Sequence, residues 1–123
     1  MSRQEARERA IGILYAADAG DLTQIESSEY EGRGFRLARG TWAHLDDIDA
    51  ALDAGATDWR VERMPAVDRA ILRLGVYELR YTDTPVGVVL SEAVELAKQY
   101  STAQSGRFVN GVLATIADEA REK

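Results

Sequence analysis

PAVDRAILRLGVYELRY (Pro65–Tyr81) decides the fold of this chain. Pro65 has a fixed φ and no backbone N–H to leave unpaired, so it belongs in the first turn of a helix. Beyond it, Val67, Ile71, Leu72, Leu74, Val76, Tyr77 and Leu79 leave almost no polar face. A helix that is apolar nearly all round sits at the centre of a bundle, and the spacing therefore predicts a core helix with other helices packed about it.

Downstream, Asp83, Thr84 and Pro85 mark a turn. The VGVVL that follows (Val86–Leu90) has the β-branched content of a buried strand, yet the chain offers no second strand to pair with it. It reads as helix, with Thr84 as cap and Pro85 in first position, continuing through Leu96 to Tyr100. Ser105 is expected to cap a last helix whose buried stripe is Val109, Val112, Leu113 and Ile116.

Upstream, Ala6, Ala10, Ile13, Leu14 and Ala17 recur at helical spacing between Arg3 and Ala19, with Ser2 and Glu5 placed for a capping box and Gly20 as the stop. DLTQIESSE (Asp21–Glu29) is polar and weakly periodic, a loop or one short helical turn. From about Tyr30 to Ala54 the residues Phe35, Leu37, Ala38, Trp42, Leu45, Ile48 and Leu52 predict one long helix that carries Gly34 and Gly40 at roughly 1 kcal/mol each. Gly55 ends it, and Trp59–Met64 reads as a short turn. The sum is an all-α, compact helical bundle without repeats.

A chain of 123 residues is the size of one domain. It contains no cysteine, which excludes thiolate metal sites, thiol catalysis and disulfides and agrees with a reducing cytoplasm. No metal site and no cofactor is expected. MSRQEARERA lacks the apolar core of a signal peptide, and no apolar run approaches the ~20 residues of a spanning helix, so a soluble, unprocessed, cytoplasmic protein without membrane contact is expected. The net charge of −6 argues against a general electrostatic grip on nucleic acid, so any RNA contact must be local. Charge is unevenly spread. Asp46, Asp47, Asp49, Asp53 and Asp58 form a stretch without a basic residue, and Arg60, Arg63, Arg69 and Arg73 crowd the segment after it. Solvated helix faces explain such clusters, and an acidic surface also suits a basic protein partner.

Catalytic chemistry finds little to hold. There is no G-x-S-x-G, Walker loop or H-E-x-x-H motif. Glu92 and Glu95, one turn apart, read as an exposed helix face, and His44 reads as a partly buried, hydrogen-bonded imidazole. The protein is expected not to be an enzyme. SGRFVNGVL (Ser105–Leu113) is different, because it offers Phe108, Asn110 and Gly111 beside Arg107: an aromatic, an amide and bare backbone next to a positive charge. Such a set suits stacking on and hydrogen bonding to an unpaired base, although an aromatic at helical spacing also serves as core. Arg3 and Arg7, four apart, share a helix face and suit phosphate, while the interleaved Glu5 and Glu8 explain them equally well as intrahelical ion pairs.

In order and spacing, DRAILRLGVYEL, SEAVELAK and FVNGVL, supported by AIGILY in the first helix, resemble the NusB (N-utilisation substance B) family of bacterial transcription antitermination factors from about Arg3 to Ile116. The resemblance implies one NusB-like domain made of two packed helical subdomains, about 1–56 and 57–123. It implies binding of boxA-type single-stranded RNA together with ribosomal protein S10 on ribosomal RNA operons. Other antitermination factors and RNA polymerase would be indirect partners, and some relatives form homodimers. Carried over by position, Arg3, Arg7, Arg107, Phe108 and Asn110 would touch RNA, and Tyr15, Glu62 and Asp68 would touch S10, with Asp68 expected as an exposed carboxylate at the start of its helix. Gln4 and Glu5 interrupt the family's basic start, and Gln104 stands where an acidic residue is common. RNA affinity is therefore expected to depend on the partner. Two alternatives stand beside this reading. One is the RNA-binding N-terminal domain of ribosomal RNA cytosine methyltransferases, whose cofactor domain a chain ending at Lys123 is expected to lack. The other is a helical oligomerisation protein without RNA binding.

Overall fold

The computed structural model describes residues 2–20, 32–56 and 59–121, with the backbone alone for residues 120 and 121. Among these residues six α-helices and one 3-10 turn follow in order: α1 Arg3–Ala19, α2 Arg33–Ala43, α3 Leu45–Gly55, the turn Val61–Arg63, α4 Ala66–Tyr81, α5 Val86–Tyr100 and α6 Ala103–Arg121. No strand occurs among the described residues. The Asp21–Glu29 segment lies outside them.

α4 is the central helix, packing against α1, α2, α3, α5 and α6. Ile71, Leu72, Leu74, Val76 and Leu79 are all buried. Its polar residues are not a solvated face, for each of four reaches a different part of the fold. Asp68 accepts from Ser105 of α6, Arg69 binds Asp18 of α1, Arg73 binds Asp49 of α3, and Glu78 binds Arg7 of α1. The apolar residues of α4 drive its burial, and these ionic contacts fix which neighbour meets which turn.

The stretch of helical spacing between residues 30 and 54 is two helices rather than one. The chain breaks at His44 (φ −111°, ψ 24°), whose N–H returns to the Thr41 carbonyl while its own carbonyl accepts from Ile48 to start α3. Two side-chain features hold the break. Buried Thr41 donates its hydroxyl back to the Leu37 carbonyl at 2.7 Å, a bond that tends to bend a helix. The His44 ring stacks on Tyr81 with centroids 4.0 Å apart and planes 13° apart, and Tyr77 continues the stack. Gly40 has a task here, since a Cβ would collide with the Tyr77 hydroxyl and ring.

Helix starts agree with the sequence within one turn. Ser2 and Glu5 form the expected capping box, and its hydrogen bonds to the Glu5 carboxylate hold that group below its ordinary pKa. VGVVL is helical, with Pro85 as N-cap rather than first residue. α6 begins two residues before Ser105. Thr102 accepts the Ser105 N–H at 3.0 Å, which frees the Ser105 hydroxyl for Asp68. The expected stripe of Val109, Val112, Leu113 and Ile116 is buried. Among the described residues no helix is long and apolar enough to cross a membrane.

Candidate nucleic-acid interface

α5 and α6 pack along their length, and between them runs an open groove of about 470 Å³. Ser91, Val94, Glu95 and Lys98 line one wall, and Gly106, Arg107, Asn110 and Gly111 the other. The sequence explains the shape. Gly106 is buried where a Cβ would come within 3.3 Å of the Lys98 side chain, so its absence lets the helices close at that end. At Gly111 a Cβ would meet nothing within 4 Å, which leaves bare backbone open to solvent. Lys98 and Arg107 are exposed and form no ion pair with any described residue. The groove thus offers two cations without an ion-pair partner among the described residues, an exposed amide and a hydroxyl, the chemistry of phosphate and base edges, with Glu95 as one carboxylate in the same wall as Lys98.

Phe108 is not in this groove. On a helix of 3.6 residues per turn, positions two apart point about 160° away from each other, and Phe108 lies on the flank opposite Asn110. It is half-buried against the edge of the core. Arg107, Asn110 and Gly111 are therefore brought together, and the aromatic is presented separately.

The two arginines of α1 also part company. Arg3 is exposed at the helix start. Arg7 is buried, and it donates from Nε and Nη2 to both Glu78 carboxylate oxygens at 2.9 and 2.8 Å. Of the two arginines expected to touch RNA, only Arg3 is therefore free to do so. One helical turn places Arg3 and Arg7 on the same side of α1, but that side descends into the core as the helix meets α4. Near the same end, the Tyr100 hydroxyl at the close of α5 donates to Glu8 at 2.9 Å, a bond that raises the tyrosine pKa above its ordinary value. The first half of α1 and the α5–α6 connection therefore lie together.

The residues expected at a protein partner lie around an ionic clamp. Asp18, one turn beyond Tyr15, accepts from Arg69 at 2.8 Å, and Arg69 Nη1 reaches the carbonyls of Val61, Glu62 and Met64. Tyr15, 46% exposed, and the exposed Glu62 thus flank one clamp. Arg73 sits behind it, 3.4 Å from Asp18, paired with Asp49 through two hydrogen bonds and lying over the Trp42 ring at 5.8 Å. Burial opposes the Arg73 charge, but Asp49 and Asp18 outweigh it and leave the guanidinium more firmly protonated than an ordinary arginine. Asp68 departs from expectation. It is 3% exposed, points at Ser105 Oγ 2.9 Å away, and keeps one carboxylate oxygen buried without a hydrogen bond from any described residue. The abutting starts of α4 and α6 turn it inward.

Sequence reading missed Lys98, which enters the groove only through the register of α5 on α6, a relation with no linear signal. It also passed over Trp59, 49% exposed beside the 3-10 turn. Among the described residues no group of three or more His, Cys, Asp or Glu could hold a metal ion.

Comparison with known proteins gives consistent matches. The model of the NusB family matches residues 4–118. A transcription antitermination protein NusB of Nitratiruptor is 45% identical, over 98% of this chain and 94% of its own length. A structure of T. maritima NusB superposes with a TM-score of 0.84 at 33% identity, covering 99% of this chain and 95% of that one. A crystal structure of antitermination factors NusB and NusE in complex with dsRNA superposes with a TM-score of 0.78 at 30% identity, covering 95% and 96%.

Proposed function

The chain belongs to the NusB family of non-enzymatic transcription antitermination factors, and from that premise we propose that it binds boxA-type single-stranded RNA together with ribosomal protein S10 (NusE) in the cytoplasm, during transcription of ribosomal RNA operons. The observation that carries the reading is the α5–α6 groove, where Lys98 and Arg107, without an ion pair among the described residues, stand beside Asn110 and the open backbone at Gly111. A solved relative bound to NusE and RNA supports it.

In this reading Lys98, Arg107 and Arg3 meet phosphates, Asn110 meets a base edge and Phe108 stacks on an unpaired base from the other flank of α6. Arg7 contributes by fixing α1 on α4 through Glu78, since its guanidinium is already committed. Tyr15 and Glu62 meet S10 directly. Asp68 serves that face from below, holding the start of α4 against α6 through Ser105. A net charge of −6 opposes phosphate over the surface as a whole, and at the groove only Lys98 and Arg107 offset it. A basic partner docked beside the RNA site would supply the missing attraction.

Titration of a boxA-type RNA by fluorescence anisotropy, with and without S10, tests this. Tighter binding with S10 and weakening as salt rises are expected. Equal affinity in both arms counts against the joint site, and no binding in either arm rejects the RNA reading.

A further inference from the structure

α2 carries a second basic surface, remote in sequence from the groove. Arg33, Arg36 and Arg39 follow at three-residue intervals, so each neighbours the next on the helix surface, and all are exposed. The opposite side, Phe35, Ala38, Thr41 and Trp42, is buried and leaves the arginines no inward alternative. The helix sequence RGFRLARGTWA contains no acid to pair with them.

Geometry adds a fourth guanidinium. At Gly34 the two helices come so close that a Cβ would lie 2.9 Å from the Ala6 carbonyl oxygen and 2.9 Å from Arg9 Cβ. That approach sets exposed Arg9 of α1 beside the first turn of α2. None of the four forms an ion pair with a described residue, whereas Arg7, Arg60, Arg69 and Arg73 all do. Like charges gathered with no ion-pair partner among the described residues repel one another, and this repulsion is relieved when an anion is bound.

We infer that the α1–α2 edge, Arg9 with Arg33, Arg36 and Arg39, binds the phosphate backbone of RNA lying outside the segment held at the α5–α6 groove. The inference rests on the RNA reading proposed above. Its chemistry differs from that of the groove. No exposed aromatic or amide lies on α2 beside the arginines, so the surface suits phosphates and is indifferent to base identity. From Arg33 to Arg39 the helix rises about 9 Å, so the row of guanidinium groups can meet more than one phosphate of a single strand.

The test uses the full chain with S10 bound and two RNAs: a short boxA-type element, and the same element extended by unstructured uridine tracts on both sides. Wild type is expected to bind the extended RNA more tightly. Arg36→Gln/Arg39→Gln should lose that gain and keep its affinity for the short RNA. The slope of log affinity against log salt on the extended RNA should fall by about 1.4, at ~0.7 for each single-strand phosphate contact removed. Arg36→Lys/Arg39→Lys, which keeps the charge, should retain the gain, and all three proteins should melt alike. The inference is overturned if wild type binds both RNAs equally, if the glutamine variant keeps the gain, or if it weakens both RNAs to the same degree. Failure of wild type to bind either RNA would instead refute the groove as an RNA site. Binding of an acidic peptide that Arg36→Gln/Arg39→Gln abolishes, with no gain of the extended RNA over the short one, would assign the surface to a protein partner and reject the inference.

Discussion

The clamp around α4 and the groove between α5 and α6 use the same kind of residue to opposite ends. Around α4, Arg7, Arg69 and Arg73 each meet a carboxylate at 2.8 Å, and two of these arginines are buried. At the groove, Lys98 and Arg107 are exposed and meet no acid among the described residues. An arginine in this protein is therefore structural or available according to whether the fold brings a carboxylate to it. The carboxylates that decide are far off in sequence: Glu78 for Arg7, Asp18 for Arg69 and Asp49 for Arg73.

The largest effect should come from breaking the buried pair. Glu78→Ala leaves Arg7 charged and uncompensated among apolar neighbours and should cost ~3–5 kcal/mol of stability. Arg7→Met/Glu78→Leu, which removes both charges and keeps volume, should cost far less. Urea denaturation of the two variants measures the difference. If Arg7→Ala lowered RNA affinity while stability held, Arg7 would belong with the groove cations instead.

Ser105→Ala comes next. It removes the hydrogen-bond donor assigned to a carboxylate that is already half unsatisfied, and it should cost ~1–3 kcal/mol of stability. Asp68→Asn, which relieves the buried charge, should be milder. A more stable Ser105→Ala protein would show that the contact between α4 and α6 is not held there.

Phe108→Ala sharpens the comparison because the residue is half-buried. It should cost ~1–3 kcal/mol of RNA binding if the ring stacks on a base. Its stability loss should stay below the ~3–5 kcal/mol of a fully buried phenylalanine. A full core-sized loss of stability, with the RNA affinity of the folded fraction unchanged, would return Phe108 to the core.

The smallest effect is set by pH. The hydrogen bond to Glu8 raises the Tyr100 pKa, so its stabilisation is complete below the unfolded tyrosine value near 10 and fades as pH rises through the higher folded value. Tyr100→Phe should melt slightly lower than wild type at neutral pH, and the gap should close above about pH 10. A gap that stays constant into that range would show that the bond contributes nothing.

Helix content was legible wherever apolar spacing was continuous, as in α4 and in the four α6 residues Val109, Val112, Leu113 and Ile116. The strand-like VGVVL is legible as helix only through the lack of a second strand to pair with it. The break at His44 was not legible, because Trp42, Leu45 and Ile48 keep phase across it while its cause, the stack on Tyr77 and Tyr81, arrives from α4. At the site, the 100° step of a helix already separates Phe108 from Asn110, so that division could have been drawn from sequence. The inward turns of Arg7 and Asp68 could not. Each depends on a residue from another helix, Glu78 and Ser105.

Lys98 and Arg107 bear most directly on the claim that uncommitted cations of the α5–α6 groove hold RNA. Lys98→Gln/Arg107→Gln, titrated with boxA-type RNA in the presence of S10 over a range of salt, should bind more weakly. Its salt slope should be shallower by about 1.4, for two lost phosphate contacts at ~0.7 each, with an unchanged melting temperature. Wild-type affinity and slope in that variant would contradict the assignment and place the RNA elsewhere on the protein.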